Sequence, residues 1–383
     1  MEKLICRISD IGIVVGGGTP STKNPAYWGG NIPWISPKDL TDYKYTYISR
    51  GENFLTEKGL KSGTKLLPKD TVLFSSRAPI GYVALAANPI CTNQGFKSIV
   101  CDSSKIEALY LYYYLKANLD YIKLFGTGAT FPEISGKTMG KIKIEIHKEL
   151  DTQHRIASIL SAYDSLIENN TKRIRLLEKM AENLYKEWFV RFRFPGYEKA
   201  EMENELPKGW KHGSLSDICE FKRGKNITAS EMIAGNVPVI SAGIEPSGFH
   251  NKANVKGVSI TISSSGANAG YIAIHYSDIW AADCSFINET MTSYICYVYE
   301  LLNNIRGVIT NFQRGAAQPH VYPKDINRIK LIIPSERLRA LADERLSVIH
   351  KQIDNLAKQN TLLARRRDLL LPRLMSGKLE VKP

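Results

Sequence analysis

Residues 125–146, FGTGATFPEISGKTMGKIKIEI, align without a gap against residues 312–333, FQRGAAQPHVYPKDINRIKLII. Phe125, Gly128, Ala129, Pro132, Lys137, Ile142 and Lys143 fall on Phe312, Gly315, Ala316, Pro319, Lys324, Ile329 and Lys330. Further blocks match on either side in the same order. Upstream, ISDI (8–11) answers LSDI (215–218), NIPWIS (31–36) answers NVPVIS (236–241), and Ala78, Gly81 and Tyr82 answer Ala267, Gly270 and Tyr271. Downstream, Asp164, Leu166, Asn170 and Thr171 answer Asp354, Leu356, Asn360 and Thr361. Ordered self-similarity of this kind identifies a tandem duplication. Each copy is an irregular domain followed by a helix, and the interiors have diverged more than the frames.

The helices are read from periodicity. From Asp151 to about Arg191, Ile156, Ile159, Leu160, Tyr163, Ile167, Ile174, Leu177, Ala181, Leu184 and Trp188 recur at helical spacing with no Gly or Pro inside. From about Ser335 to Leu371, Leu338, Leu341, Ile349, Ile353, Leu356, Leu363 and Leu370 do the same, and Pro372 is expected to end the helix. So narrow a seam needs a partner. The simplest is the other copy, packed as an antiparallel coiled coil; a homodimer zipper is the alternative. At about 1.5 Å per residue such a rod spans roughly 50 Å, or about 15 base pairs.

The segments before the helices carry short β-rich runs, among them TVLFSS, YVALAA and SITISSS, between Gly, Pro, Asn and Ser clusters. The expected fold class is α+β: two mixed, mostly β domains in tandem duplication, separated by the two long helices packed as an antiparallel coiled coil. Residues 1–148 form the first domain and 149–194 the first spacer helix. Residues 195–334 form a linker and the second domain, and 335–383 the second helix and tail. PGYEKAEMENELPKGW (195–210) suits the linker. A helix is expected over Lys105–Asn118, with Tyr110, Tyr112, Tyr113 and Tyr114 in the core.

A chain of 383 residues that is 43% apolar can build two or three cored domains. The formal charge of +13 favours polyanionic partners. No run approaches the length of a membrane span, so a cytoplasmic location is expected. Cys6, Cys91, Cys101, Cys219, Cys284 and Cys296 stand singly, which fits buried reduced thiols rather than disulfides or zinc ligands.

Catalytic patterns fail one after another. VGGGTPSTKNPAYWGG (15–30) suggests a phosphate loop and a methylation tetrapeptide, but the triple glycine lacks a GKS or GKT ending. Asn24-Pro25-Ala26-Tyr27 lies beside the glycines rather than a domain away, and its place in the second copy is taken by FKRGKNITASEMIAGN. Neither pattern survives there. Pro68-Lys69-Asp70 and Pro37-Lys38-Asp39 lack the companions a nuclease needs, and the seven histidines form no set. No catalytic residue is assigned.

GGGTPS followed by YWGGNIPWISPKDL, then TNQGF (92–96), DTQHRIASILSAYDSLIENN, LYKEWFVRFRFP with LPKGW, and RRRDLLLPRLMSGKLEV run through nearly the whole chain. In this order they resemble the specificity subunit of type I restriction-modification systems. The resemblance implies a non-catalytic subunit of a restriction and DNA adenine methyltransferase complex. Its two recognition domains each read one half of a split, asymmetric target in double-stranded DNA. Its helices hold the domains apart and dock two methyltransferase subunits, joined by nuclease and translocase subunits. It implies no cofactor or metal in this chain, while the partner subunits would use S-adenosylmethionine, ATP and Mg. Domains related by the twofold of an antiparallel helix pair would meet a duplex with opposite polarity, and helix length would set the spacer.

Side chains able to pair with base edges or phosphates mark the candidate contacts. In the first domain they are Thr19, Ser21, Lys23, Lys38, Arg77, Asn93 and Gln94; in the second, Lys222, Arg223, Lys225, Asn268, Gln313, Arg314 and His320. Arg77 stands foremost, and the alignment sets it against Gly266. The helix seam positions expected to form the coiled coil and hold partner subunits are Ile156, Leu160, Tyr163, Ile167, Leu177, Leu184, Ile349, Ile353, Leu356 and Leu363. Arg365-Arg366-Arg367 is expected to meet partner subunits or the helix dipole. Two other readings stay open: the detached recognition region of a fused restriction-modification enzyme, and a coiled-coil scaffold that binds no DNA.

Overall fold

The computed structural model describes residues 2–128, 130, 132–312 and 320–381. The chain divides into two units, Met1–Thr171 with Lys358–Pro383, and Lys172–Ala357. The long helices therefore each contribute to both units.

In the first unit a five-stranded sheet runs in the order Gly12–Gly16, Lys97–Cys101, Val72–Ser76, Ile80–Ala86, Tyr47–Ile48. The central strand VLFSS is wholly buried because both its faces are covered. Val72 and Phe74 face a core shared with the helix Ala108–Ala117, while Leu73 faces a second cluster with Ala84, Ala86 and Phe96. A three-stranded sheet orders Asn53–Leu55, Trp28–Ile35, Cys91–Thr92, and Lys3–Arg7 pairs with Lys143–His147. Tyr110, Tyr112, Tyr113 and Tyr114 are buried, as the sequence suggested.

The second unit repeats this plan. Its four-stranded sheet orders Lys222–Arg223, Cys284–Asn288, Ser259–Ser263, Ile272–His275. Its three-stranded sheet orders Gly248–His250, Val237–Ile240, Trp280–Ala281, and Lys211–Ser214 pairs with Lys330–Ile333. In both three-stranded sheets the central strand pairs antiparallel to the first strand and parallel to the last.

The helices differ from expectation at their ends. The first is α-helical over Leu150–Tyr185 and then widens into a π turn over Lys186–Val190, which carries Trp188 and Phe189 into the core of the second unit. The second spans Glu336–Ser376, so Pro372 lies inside it rather than ending it. Leu374 and Met375 are buried in the first unit's core, and that packing carries the helix past the lost N–H. It stops at Gly377, whose φ of +75° suits the left-handed position after a helix.

The seam is also divided differently. Ile156 and Leu160 share the first domain's core with Leu370, Leu371, Leu374 and Met375 of the second helix, and Leu184 and Ile349 pack together on the second's, so the ends of the seam join the helix pair to the domains. Within the first unit, Asp164 pairs with Arg367, Asn170 with Gln359 and Thr171 with Asn360, the antiparallel order expected. Arg367 is thus committed within the chain, with Asp164 and Asp368, rather than left for a partner; Arg365 and Arg366 are exposed. The segment 195–210 is not a bare linker: it forms a hairpin, Met202–Glu203 with Leu206–Pro207. Trp210 there packs among Phe189, Phe192 and Phe194. Cys91, Cys219, Cys284 and Cys296 are buried free thiols, while Cys6 and Cys101 are half-buried.

Gly17 and Gly224 occupy equivalent places. The Gly17 N–H donates to the Phe96 carbonyl at 3.3 Å, and the Gly224 N–H to the Cys284 carbonyl at 2.8 Å. A Cβ at either would overlap backbone carbonyls, of Thr92 and Asn93 or of Ala281 and Ala282. Gly17→Ala and Gly224→Ala should each cost about 2 kcal/mol or more. Gly307→Ala, in a helix with open space around it, should be neutral or stabilising by up to about 1 kcal/mol. Urea titration of the three variants checks this.

His275 sits 2.8 Å from the Thr261 hydroxyl, and burial lowers its pKa from 6.5 to about 4. The unfolded chain takes up this proton below about 6.5 and the folded one only near 4, so stability is full above that window and falls as pH drops through it. His275→Gln should flatten the loss between neutral pH and about pH 4.5 by ~2 kcal/mol, read from urea midpoints at each pH.

Candidate nucleic-acid interface

Each of the two units carries a rim built by the same kind of main-chain bonds. Gly18 N–H donates to the Thr92 carbonyl at 2.9 Å, and Lys225 N–H to the Ala281 carbonyl at 2.9 Å. Ser76 N–H donates to Gly95 at 2.7 Å, and Ser264 N–H to Asp283 at 3.3 Å. Ile134 N–H donates to Ser76 at 3.0 Å, and Val321 N–H to Ser264 at 2.9 Å. These bonds set Gly95 against Asp283 and Glu133 against His320. They also set Arg77 against Ser265, correcting the alignment with Gly266.

On the first rim the Thr19 hydroxyl donates to the Gln94 side chain. The Asn93 side chain accepts from the Gly95 N–H at 2.8 Å, so it shapes the turn rather than standing free. Arg77 reaches over Gly95 to Glu133, 3.4 Å away, and Lys97 meets the other oxygen of Glu133 at 3.1 Å. Lys38 lies on the turn Pro37–Leu40, exposed and paired with Glu52 at 3.1 Å. Ser21 and Lys23 are exposed on the loop leading away, where the Ser21 carbonyl accepts from the Trp28 indole at 3.2 Å.

On the second rim Arg223 and the Ser265 hydroxyl both meet Asp283. Lys222 and Lys225 are exposed, and the Lys225 carbonyl accepts from the Trp280 indole at 2.8 Å. Asn268 is half-buried in the short turn Gly266–Asn268. The His320 ring stacks on Tyr322 at 5.9 Å and 15°. Gln313 and Arg314 lie outside the described residues, as do Ala129, Gly315, Ala316 and Pro319 of the duplicated stretch.

The structure thus brings Thr19, Arg77, Asn93 and Gln94 together on one rim and Arg223 and His320 together on the other. Sequence reasoning missed Lys97, Glu133, Ser265 and Asp283. Glu133 was visible as the one acid inside the duplicated stretch that answers a histidine; Asp283 had no such signal, because the loop is one residue shorter there.

Other sites offer no chemistry. A cavity of about 520 Å³ in the second unit is lined by Glu178, Glu182, Tyr276, Tyr299, Glu300 and His350, among others. His350 bonds Glu300 at 3.0 Å and Tyr276 at 2.8 Å there. Burial pushes the Cys91 thiol up to about 11 and those of Cys219, Cys284 and Cys296 to about 12, the reverse of an activated nucleophile. Among the described residues no His, Cys, Asp and Glu cluster suits a metal ion, and no helix is long and apolar enough to cross a membrane.

The family model for the type I restriction modification DNA specificity domain matches twice, over residues 3–179 and 207–365. The MjaIX specificity subunit of Methanocaldococcus jannaschii is 36% identical, with 98% of this chain and 93% of that protein covered. A putative type I specificity subunit of Mycoplasma genitalium is 26% identical over 80% of this chain and 81% of its own. The fold is like that of the M. genitalium S subunit crystal structure, with a TM-score of 0.69 at 19% identity, covering 100% of this chain and 97% of that one. With two matched domains on the duplicated frame, the chain belongs to the type I restriction-modification specificity-subunit family.

Proposed function

We propose that this chain is the sequence-reading subunit of a type I complex, each domain reading one half of an asymmetric, bipartite target in double-stranded DNA. The observation that carries this is the rim: an equivalent main-chain frame in both units holds different side chains, Arg77 against Ser265, Gly95 against Asp283 and Glu133 against His320. A frame kept while its polar side chains change is what two readers of different half-sites require. The unspecified spacer follows the length of the long helices. In this reading the chain does no covalent chemistry and holds no cofactor. Partner methyltransferase subunits use S-adenosylmethionine to methylate adenine, and nuclease and translocase subunits use ATP and Mg.

Of the seam, Ile156, Leu160, Ile353 and Leu356 are buried and the rest half-buried within the chain, so docking falls to the outer faces of the helices. Leu176 and Met180, one turn apart, are exposed on the first helix within the second unit, and Leu362 and Leu369, two turns apart, on the second helix within the first unit. Exposed apolar stripes rimmed by charge are protein-docking surfaces. They are assigned to the two methyltransferase subunits.

Leu176 is 66% exposed and Met180 55%. Leu176→Asp with Met180→Asp should leave the melting temperature within about 2 °C while reducing co-purification of methyltransferase subunits at least tenfold. Methylome sequencing of cells carrying the chain with its methyltransferase partner tests the whole reading. A split motif methylated on both strands is expected, with one half changed when residues 206–333 are exchanged. A continuous palindrome, or no new methylation, sinks it.

A further inference from the structure

We infer that Glu133 and Asp283 temper DNA binding, each a carboxylate that occupies the rim's arginine until DNA displaces it. This rests on the DNA-reading function proposed above. Each rim supplies its acid by a different route. In the first unit Gly95 has no side chain, Arg77 lies across it, and the carboxylate comes from Glu133. In the second unit Asp283 stands where Gly95 would be and supplies the carboxylate itself, to Arg223 and Ser265.

The geometry separates a gate from a structural ion pair. Glu133 is fixed by its backbone, which exchanges hydrogen bonds with Thr127 at 2.9 and 3.0 Å, while Ile134 is tied to Ser76. Lys97 is 13% exposed and buttresses Glu133 from within, whereas Arg77 is 38% exposed and can leave. An exposed pair of this kind is weak, so exchange for another acceptor costs little. A phosphate offers one charge and replaces the carboxylate on about equal terms. A guanine O6/N7 edge in register offers the bidentate fork and the remaining base contacts together. The carboxylate therefore subtracts from every encounter, matched or not.

The test uses the chain assembled with its methyltransferase subunits. The duplexes carry the methylome-defined target, the target changed at one base in either half, and an unrelated sequence. Glu133→Gln should raise affinity for the unrelated duplex three- to tenfold and steepen the salt dependence by about one unit of log–log slope. It should raise affinity for the matched target by about the same factor, leaving discrimination between duplexes unchanged. Asp283→Asn should do the same through the other half-site, and it carries the test alone if Glu133→Gln fails to fold. Folded variants that keep wild-type affinity and salt slope, or that lose affinity for all duplexes, overturn the gate. A wild-type complex that prefers no duplex overturns the DNA-reading function itself, and the gate with it.

Discussion

The rim of each domain depends on backbone meeting backbone. In each unit the loop leaving the first sheet strand is fastened to the loop entering its neighbour through N–H groups of Gly17 and Gly18, or Gly224 and Lys225, onto main-chain carbonyls. Only a residue without Cβ lets the chains approach so closely, which explains a shared glycine in otherwise unlike loops. Because side chains take no part in that fastening, those on the rim can change without loosening the fold. Indole donors reinforce the loop in both copies, from Trp34 to the Gly18 carbonyl at 2.9 Å and from Trp280 to the Lys225 carbonyl at 2.8 Å. They come from non-equivalent strands, so one structural need has been met twice.

The long helices are joined to their domains by an equally regular device. Gln153 accepts the N–H of Glu107 at 2.9 Å, and Asp343 accepts that of Tyr297 at 2.9 Å, each at the start of the domain's own helix. These N–H groups have no intrahelical partner and would otherwise be stranded in the interior. Burial raises the Asp343 carboxyl while that N–H opposes the shift. Asp164 links the domain helix to the second long helix by accepting from Tyr113 at 2.6 Å while pairing with Arg367. A long helix so tied is an extension of each domain, and the apolar residues at its ends are domain core.

That distinction marks the limit of what the sequence disclosed. Duplication, the helices and the buried tyrosines were legible, because matched blocks and helical periodicity are one-dimensional signals. Periodicity states that Ile156 and Leu160 are buried in a helix pair but not that the domain's core closes over them as well. Pro372 was read as a stop on local grounds, whereas Leu374 and Met375 supply a tertiary reason to continue. On the rim, residue type picked out Arg77 and Arg223 but not their acids. Pairing across 56 or 60 residues leaves no local trace.

The rim also qualifies what a net charge of +13 means. Charge summed over the chain governs encounter with a polyanion at long range, where the positions of individual groups matter little. Within a Debye length of about 8 Å position is decisive. There, Arg77 and Lys97 share Glu133, and Arg223 faces Asp283. The chain is thus basic enough to be drawn to a duplex while its rim arginines are already occupied. In the proposed DNA-reading role, attraction and grip come from different residues, the separation that searching along DNA before choosing a sequence requires.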